Sequence, residues 1–200
     1  MIVPNKRLVI FDLDNTLYDE FVFLNGKMSK FLVHQKVDEG TRFLILAEFK
    51  ICFIMKNIEY VIQHLNTKFN LTLSVDDYKD FLRNKDFAVD ISFYPGICEA
   101  LVVLLESGCI VRLLTNGNKY QQLQKISSLS RTVNLSNKVV YAEDFAPKPD
   151  PEGINFILMQ EKVNKSEVLF VGDSNTDFDC AVRAQVDFMF AKDFFSGKLV

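Results

Sequence analysis

The stretch "RLVIFDLDNTLYDE", Arg7 to Glu20, decides the fold. Its apolar run "LVIF" shows no polar alternation, so it reads as a strand buried on both faces, as in a parallel sheet. Asp12 and Asp14 stand at its end, two residues apart. Alternate residues of a strand share a face, so these carboxylates point the same way and repel. A chain keeps such a pair where a cation or a proton offsets the charge.

Outward from this stretch the pattern changes twice. From about residue 18 to 92 long stretches lack Gly and Pro and read as helices, roughly over 20–37, 41–66 and 74–84. Ser74 serves as N-cap of the last, with Asp76 and Asp77 in its first turn. From "FYPGICEALVVLLESG" (93–108) onward, helices and apolar strands alternate. The strands are "CIVRLLT" (109–115), "KVVYAED" (138–144), "EVLFVGD" (167–173) and "VDFMFA" (186–191). That alternation predicts the α/β class with a parallel, Rossmann-like sheet. The helical block interrupts it once. The expected organisation is therefore an α/β core of 1–17 and 93–200 with a helical domain, 18–92, inserted after the first strand.

Composition narrows the partners. The chain has 200 residues and a formal net charge of −3, with no broad basic surface, so no nucleic acid partner is expected. "MIVPNKRLVIF" is too short for a secretory leader. "FLILAEFKICFIM" (43–55) is interrupted by Glu48 and Lys50 and falls short of the roughly 20 residues that span a bilayer. No membrane partner and a cytoplasmic location are expected. Cys52, Cys98, Cys109 and Cys180 form no C-x-x-C pair and read as buried reduced thiols. Neither His34 nor His64 has the close His or Cys neighbours that a zinc site uses.

In open α/β sheets, ligands bind outside the carboxyl ends of the strands. The polar residues expected there are Asp12 and Asp14, then Thr115 and Asn116 in "RLLTNG", Lys148 in "KPDP", and Asp173 and Asp177 in "GDSNTD". Each motif alone is weak: a lone Asp after a strand is mostly a turn former, and "TNG" mostly a turn. In this order, each after an apolar strand, they form one constellation. Four carboxylates against a single lysine call for a hard cation, and Mg²⁺ suits oxygen ligands. Cation and lysine together let a phosphate dianion approach an aspartate.

These four motifs resemble those of the haloacid dehalogenase-like superfamily: "DLDNT" its D-x-D-x-T, then "RLLTNG", "KPDP" and "GDSNTD". The resemblance covers 6–16 and 93 to about 190, with the helical block where many members carry a cap. It implies a Mg²⁺-dependent phosphatase acting on a small soluble phosphomonoester, of the nucleotide or sugar phosphate class, through an aspartyl-phosphate. Asp12 is then the nucleophile and Asp14 the general acid and base. The metal is held by Asp12, the main-chain carbonyl of Asp14 and Asp173, with Asp177 in support. Thr115 and the N–H of Asn116 bind the phosphoryl oxygens, and Lys148 pairs with nucleophile and phosphate. Asp14 favours phosphate esters over haloacids, whose displacement needs no acid. A phosphomutase of the same superfamily, a non-enzymatic phospho-acceptor module and a scaffold without activity are the other readings.

Two departures from the family pattern bear on local turns. Ala184-Gln185 stands where Ala-Gly is common, and "SSLSRTVNLSN" (127–137) lacks a Gly often found there. In the helical block, Lys27, Lys30, His34, Lys36 and Arg42 read as a solvated face from which one could reach substrate. Tyr18 and Asp19 are hinge candidates. Phe43, Ile45, Phe49, Phe53 and Ile54 are expected in the cap core; exposed, they would offer a homodimer face.

Overall fold

A computed structural model of the protein describes residues 5–55 and 57–196. The chain divides into two compact units, Met1–Asp19 with Ser92–Val200, and Glu20–Ile91.

The first unit is built on a parallel sheet of β1 (Leu8–Phe11), β2 (Ile110–Thr115), β3 (Val139–Tyr141), β4 (Val168–Gly172) and β5 (Asp187–Phe190). Their order is β3-β2-β1-β4-β5, so β1 lies at the centre, as its continuous apolar run requires. Phe11 is in register with Leu113 on one side and Val171 on the other. The carboxyl ends of β1, β2 and β4 therefore lie side by side. The winding reverses at β1, which is where such sheets open a crevice for ligands. This is the predicted α/β, Rossmann-like class.

The second unit is helical: α1 (Glu20–His34), α2 (Glu39–Cys52), a 3-10 turn at Phe53–Met55, α3 (Ile58–Phe69) and α4 (Val75–Arg83). The single helix expected over 41–66 is two. Asn57 takes an extended conformation and its side chain accepts from the N–H of Tyr60 at 3.0 Å, starting α3 afresh. Continuous apolar residues before it hide the break. Ser74 caps α4 as expected, accepting from the N–H of Asp77 at 3.2 Å.

Ile45, Phe49 and Cys52, at helical spacing on α2, face the core of this unit with Phe31, Leu65 and Tyr78. Phe43 and Ile54 do not join them; they are 75% and 81% exposed, Phe43 because it lies off that stripe and Ile54 because the helix has given way to the 3-10 turn. Lys27 corrects the solvated-face reading. It is buried, and its ammonium donates to the carbonyl of Asn84 at 2.8 Å, satisfying a helix end. Burial pulls its pKa down to about 8.

Helices α5 (Ile97–Glu106), α6 (Lys119–Leu129), α7 (Glu152–Glu161), α8 (Asn175–Ala184) and α9 (Ala191–Phe195) belong to the sheet unit. Gly153 lets α7 approach β2: a Cβ there would stand 2.5 Å from Leu114. Both local departures find substitutes for glycine. Gln185 takes the left-handed conformation itself, at φ 61°, and ends α8, which costs roughly 1–2 kcal/mol relative to Gly. Ser130 accepts from the N–H of Leu135 at 3.2 Å, and Leu135 is buried, which ties down the path from α6 to β3. No helix among the described residues is long and apolar enough to cross a membrane.

Candidate active site

Asp12 continues β1, its N–H donating to the carbonyl of Val171 at 2.9 Å, which fixes its side chain in the crevice beside β4. The Lys148 ammonium donates to Asp12 at 2.6 Å and to Asp177 at 2.6 Å. The hydroxyl of Thr16 donates to the other Asp12 oxygen at 3.1 Å. All four residues are buried. Lys148 also lies over the Phe170 ring, 5.5 Å from its centroid. Burial pushes the Asp12 carboxyl up to about 7; Lys148 opposes this, and the charges of Asp177 and Asp14 add to it. Burial alone would lower the pKa of Lys148, but Asp12 and Asp177 outweigh it and hold the ammonium above the usual lysine range.

Asp177 is placed by the start of α8. Its N–H donates to Ser174 Oγ, while its carboxylate accepts from the N–H and hydroxyl of Ser174 at 3.1 and 2.6 Å. This reciprocal cap needs room: a Cβ on Gly172 would meet Asp177 at 2.6 Å. Asp173, between them, is exposed. Oxygens of Asp12, Asp173 and Asp177 all lie within 4.8 Å of one another. An all-oxygen set of this kind suits a hard divalent cation.

Asp14 has different partners. Lys125 donates to both its oxygens, at 2.8 and 2.9 Å. Gln122 Nε2 donates to Asp14 at 2.8 Å, to Thr115 Oγ1 at 2.7 Å and to the carbonyl of Asn116 at 2.6 Å. The Tyr18 hydroxyl also donates to Asp14, a contact beyond the hinge part expected of it. The sequence count of a single lysine is therefore corrected: there are two, one for each carboxylate of "DLD". Gln122 and Lys125 are buried on α6 beside Ile126 and Leu129. In sequence a Gln and a Lys on a helix read as solvated. Their helical spacing with Ile126 and Leu129, on the apolar face, was the available signal.

The Asn116 side chain clasps the backbone of Lys148. Its Nδ2 donates to the Lys148 carbonyl at 3.0 Å and its Oδ1 accepts from the Lys148 N–H at 2.8 Å. The Thr115 hydroxyl donates to the carbonyl of Asn116 at 3.2 Å. Asp12, Asp14, Thr115, Asn116, Lys148 and Asp177 thus meet at one sheet edge, linked through Lys148 and Gln122, and Asp173 stands beside Asp12 and Asp177. Together they can hold a hard cation, surround an anion with donors and present a carboxylate oxygen to it.

Comparisons with known proteins bear on the fold and the family. The chain is 27% identical over 193 residues to a phosphoglycolate phosphatase of Mesorhizobium japonicum, covering 91% of this chain and 81% of that one. It is 27% identical over 197 residues to phosphoglycolate phosphatase 1 of Pseudomonas aeruginosa, covering 90% and 67%. A HAD family hydrolase from Deinococcus radiodurans, solved with bound phosphate and sodium, shares the fold at a TM-score of 0.63 and 15% identity, over 93% of this chain and 80% of that one. The model of the haloacid dehalogenase-like hydrolases matches residues 9–191, from β1 into α9 and so across every strand of the sheet. With that span and this strand-end cluster, the chain belongs to the haloacid dehalogenase-like hydrolase family.

Proposed function

We propose that the protein is a Mg²⁺-dependent phosphatase that hydrolyses a small phosphomonoester through an aspartyl-phosphate on Asp12. One observation carries the reading: Asp12 is buried between the donors Lys148 and Thr16, within reach of two further carboxylates. The names of the relatives support a phosphatase and add an ester of the phosphoglycolate type to the nucleotide and sugar phosphates that the sequence motifs suggest.

In this reading an Asp12 oxygen attacks phosphorus as the bond to the leaving oxygen breaks, giving an acyl phosphate. Asp14 gives its proton to the leaving oxygen, then takes one from the water that attacks the acyl phosphate, and Asp12 is restored as phosphate departs. The Thr115 hydroxyl and the Asn116 N–H receive the phosphoryl oxygens, and Lys148 offsets their charge. Lys125 and Gln122 hold Asp14 on the leaving-group side. Asp12, the Asp14 carbonyl and Asp173, with Asp177 in support, would hold Mg²⁺, which would supply neutralising charge for the transferring group. The all-oxygen donor set fits that ion. The helical unit, inserted between Asp19 and Ser92, acts as a cap that selects the leaving group, and the enzyme works in the cytoplasm.

The test is release of phosphate from 2-phosphoglycolate, a nucleoside monophosphate and a hexose phosphate, with Mg²⁺ or with chelator. Wild type with Mg²⁺ should hydrolyse at least one ester, and Asp12→Asn none. Equal rates in both proteins would remove Asp12 from the mechanism. An isomerised hexose phosphate in place of free phosphate would make the protein a mutase.

A further inference from the structure

The helical unit carries a second cluster of ligating side chains, of different chemistry from the first. Glu48 and Cys52 lie one turn apart on α2, and His64 faces them from α3. The zinc-type neighbours that the linear sequence denies to His64 are supplied by the packing of these two helices. Glu48 Oε1 accepts from His64 Nε2 at 2.7 Å and from the Cys52 thiol at 3.9 Å. Single ligand atoms of the three residues lie within 4.8 Å of one another. Three such atoms share a centre no more than about 2.8 Å from each, and shifts of at most about 0.8 Å bring them to the roughly 2.0–2.3 Å of zinc bonds.

Two further features suit a metal. The second Glu48 oxygen is held by Lys68 at 2.5 Å, which orients the carboxylate and leaves Oε1 turned toward Cys52 and His64. The Tyr60 ring stacks on His64, 6.0 Å between centroids, and limits how the imidazole can turn. Cys52 is buried while Glu48 and His64 are partly exposed, so an ion has a way in from solvent.

We propose that Glu48, Cys52 and His64 form a site for one borderline-soft divalent cation of the zinc type, clamping α2 to α3. Nitrogen, sulfur and oxygen donors together select zinc over magnesium. Binding replaces the His64–Glu48 hydrogen bond, with the imidazole proton moving from Nε2 to Nδ1 by exchange with solvent, and releases the thiol proton to solvent, with a water completing four ligands. The site shares no residue with the aspartate cluster and does not depend on the phosphatase reading.

The test uses the full chain, stripped with chelator and returned to millimolar Mg²⁺, then titrated with Co²⁺ and with Zn²⁺. Wild type should bind one equivalent of Co²⁺ with a thiolate-to-cobalt absorption band in the near ultraviolet, and Zn²⁺ should displace it. Cys52→Ser should lose the band. His64→Gln should weaken Zn²⁺ binding at least about tenfold. Zn²⁺ should raise the thermal midpoint of wild type more than that of either variant. His64 is 33% exposed, so His64→Gln keeps the test open if Cys52→Ser fails to fold. No thiolate band in wild type, a band surviving Cys52→Ser, or Zn²⁺ affinity unchanged in His64→Gln would overturn the proposal.

Discussion

Two clusters of ligating side chains stand in this molecule, and they are built in opposite ways. Asp12, Asp173 and Asp177 offer oxygen alone, and two of them, Asp12 and Asp177, hold a buried lysine. Glu48, Cys52 and His64 mix oxygen, sulfur and nitrogen, and their lysine, Lys68, is 48% exposed. In the first, charge is taken out of water and must be balanced inside the protein. In the second, the cationic partners reach solvent, and water screens part of the charge. The difference teaches where function can be driven by electrostatics: only a desolvated cluster makes an ammonium and a carboxylate strong enough to act on a phosphoryl group.

The largest expected break in this comparison is Asp12→Asn. It should lower phosphatase turnover by roughly 10⁴-fold or more, while Co²⁺ uptake at Glu48, Cys52 and His64 is unchanged. Steady-state kinetics and cobalt absorption on one sample check both halves. Next comes Lys148→Met, which leaves Asp12 and Asp177 buried without their shared cation. Urea unfolding should show a loss of about 3–5 kcal/mol. Lys68→Met, on the exposed side of the comparison, should leave the unfolding midpoint nearly where it was.

Lys125→Met should reduce kcat about 10- to 100-fold with little change in KM, since Lys125 acts through Asp14. Lys125→Arg should recover part of the loss. A rise in KM at constant kcat would instead make Lys125 a substrate-binding group.

The last expected effect concerns pH. Without metal, the folded chain keeps the Asp12 proton up to about 7, whereas the unfolded chain loses it near 3.8. The folded state thus binds more protons through that window, so this group's contribution to metal-free stability falls as pH rises from 3.8 to about 7. Unfolding of wild type compared with Asp12→Asn at pH 5 and pH 8 isolates it. Mg²⁺ affinity should move the other way, tightening as pH passes about 7, because the ion needs the carboxylate. Calorimetric titrations across that range should show this; a flat affinity would contradict it.

What was legible in the sequence follows the same division. The meeting of Asp12, Thr115, Lys148, Asp173 and Asp177 follows from a rule: parallel strands bring their carboxyl ends to one edge, so an acid after each apolar run can be placed without coordinates. No rule of that kind fixes how helices are phased. Gln122 and Lys125 were therefore missed, since a buried Lys on a helix looks like a solvated one until its neighbour Asp14 is known. Phe43 falls off the buried stripe of α2 and Ile54 lies in the 3-10 turn that follows it, so neither joins the core that their apolar character suggests. The break at Asn57, capped by one side-chain oxygen, was hidden by apolar continuity, and with it the approach of His64 to Cys52.

The account rests on a covalent bond between Asp12 and phosphorus, and chemical trapping tests it most directly. The enzyme is mixed with Mg²⁺ and a turned-over ester, quenched in acid within one turnover, and reduced with borohydride, which converts an acyl phosphate to the alcohol. Trypsin should release the peptide Leu8–Lys27, and its fragmentation should place homoserine at position 12 and aspartate at 14. Substrate turned over with Asp12 unreduced, or homoserine found at Asp14 or elsewhere, would contradict the account.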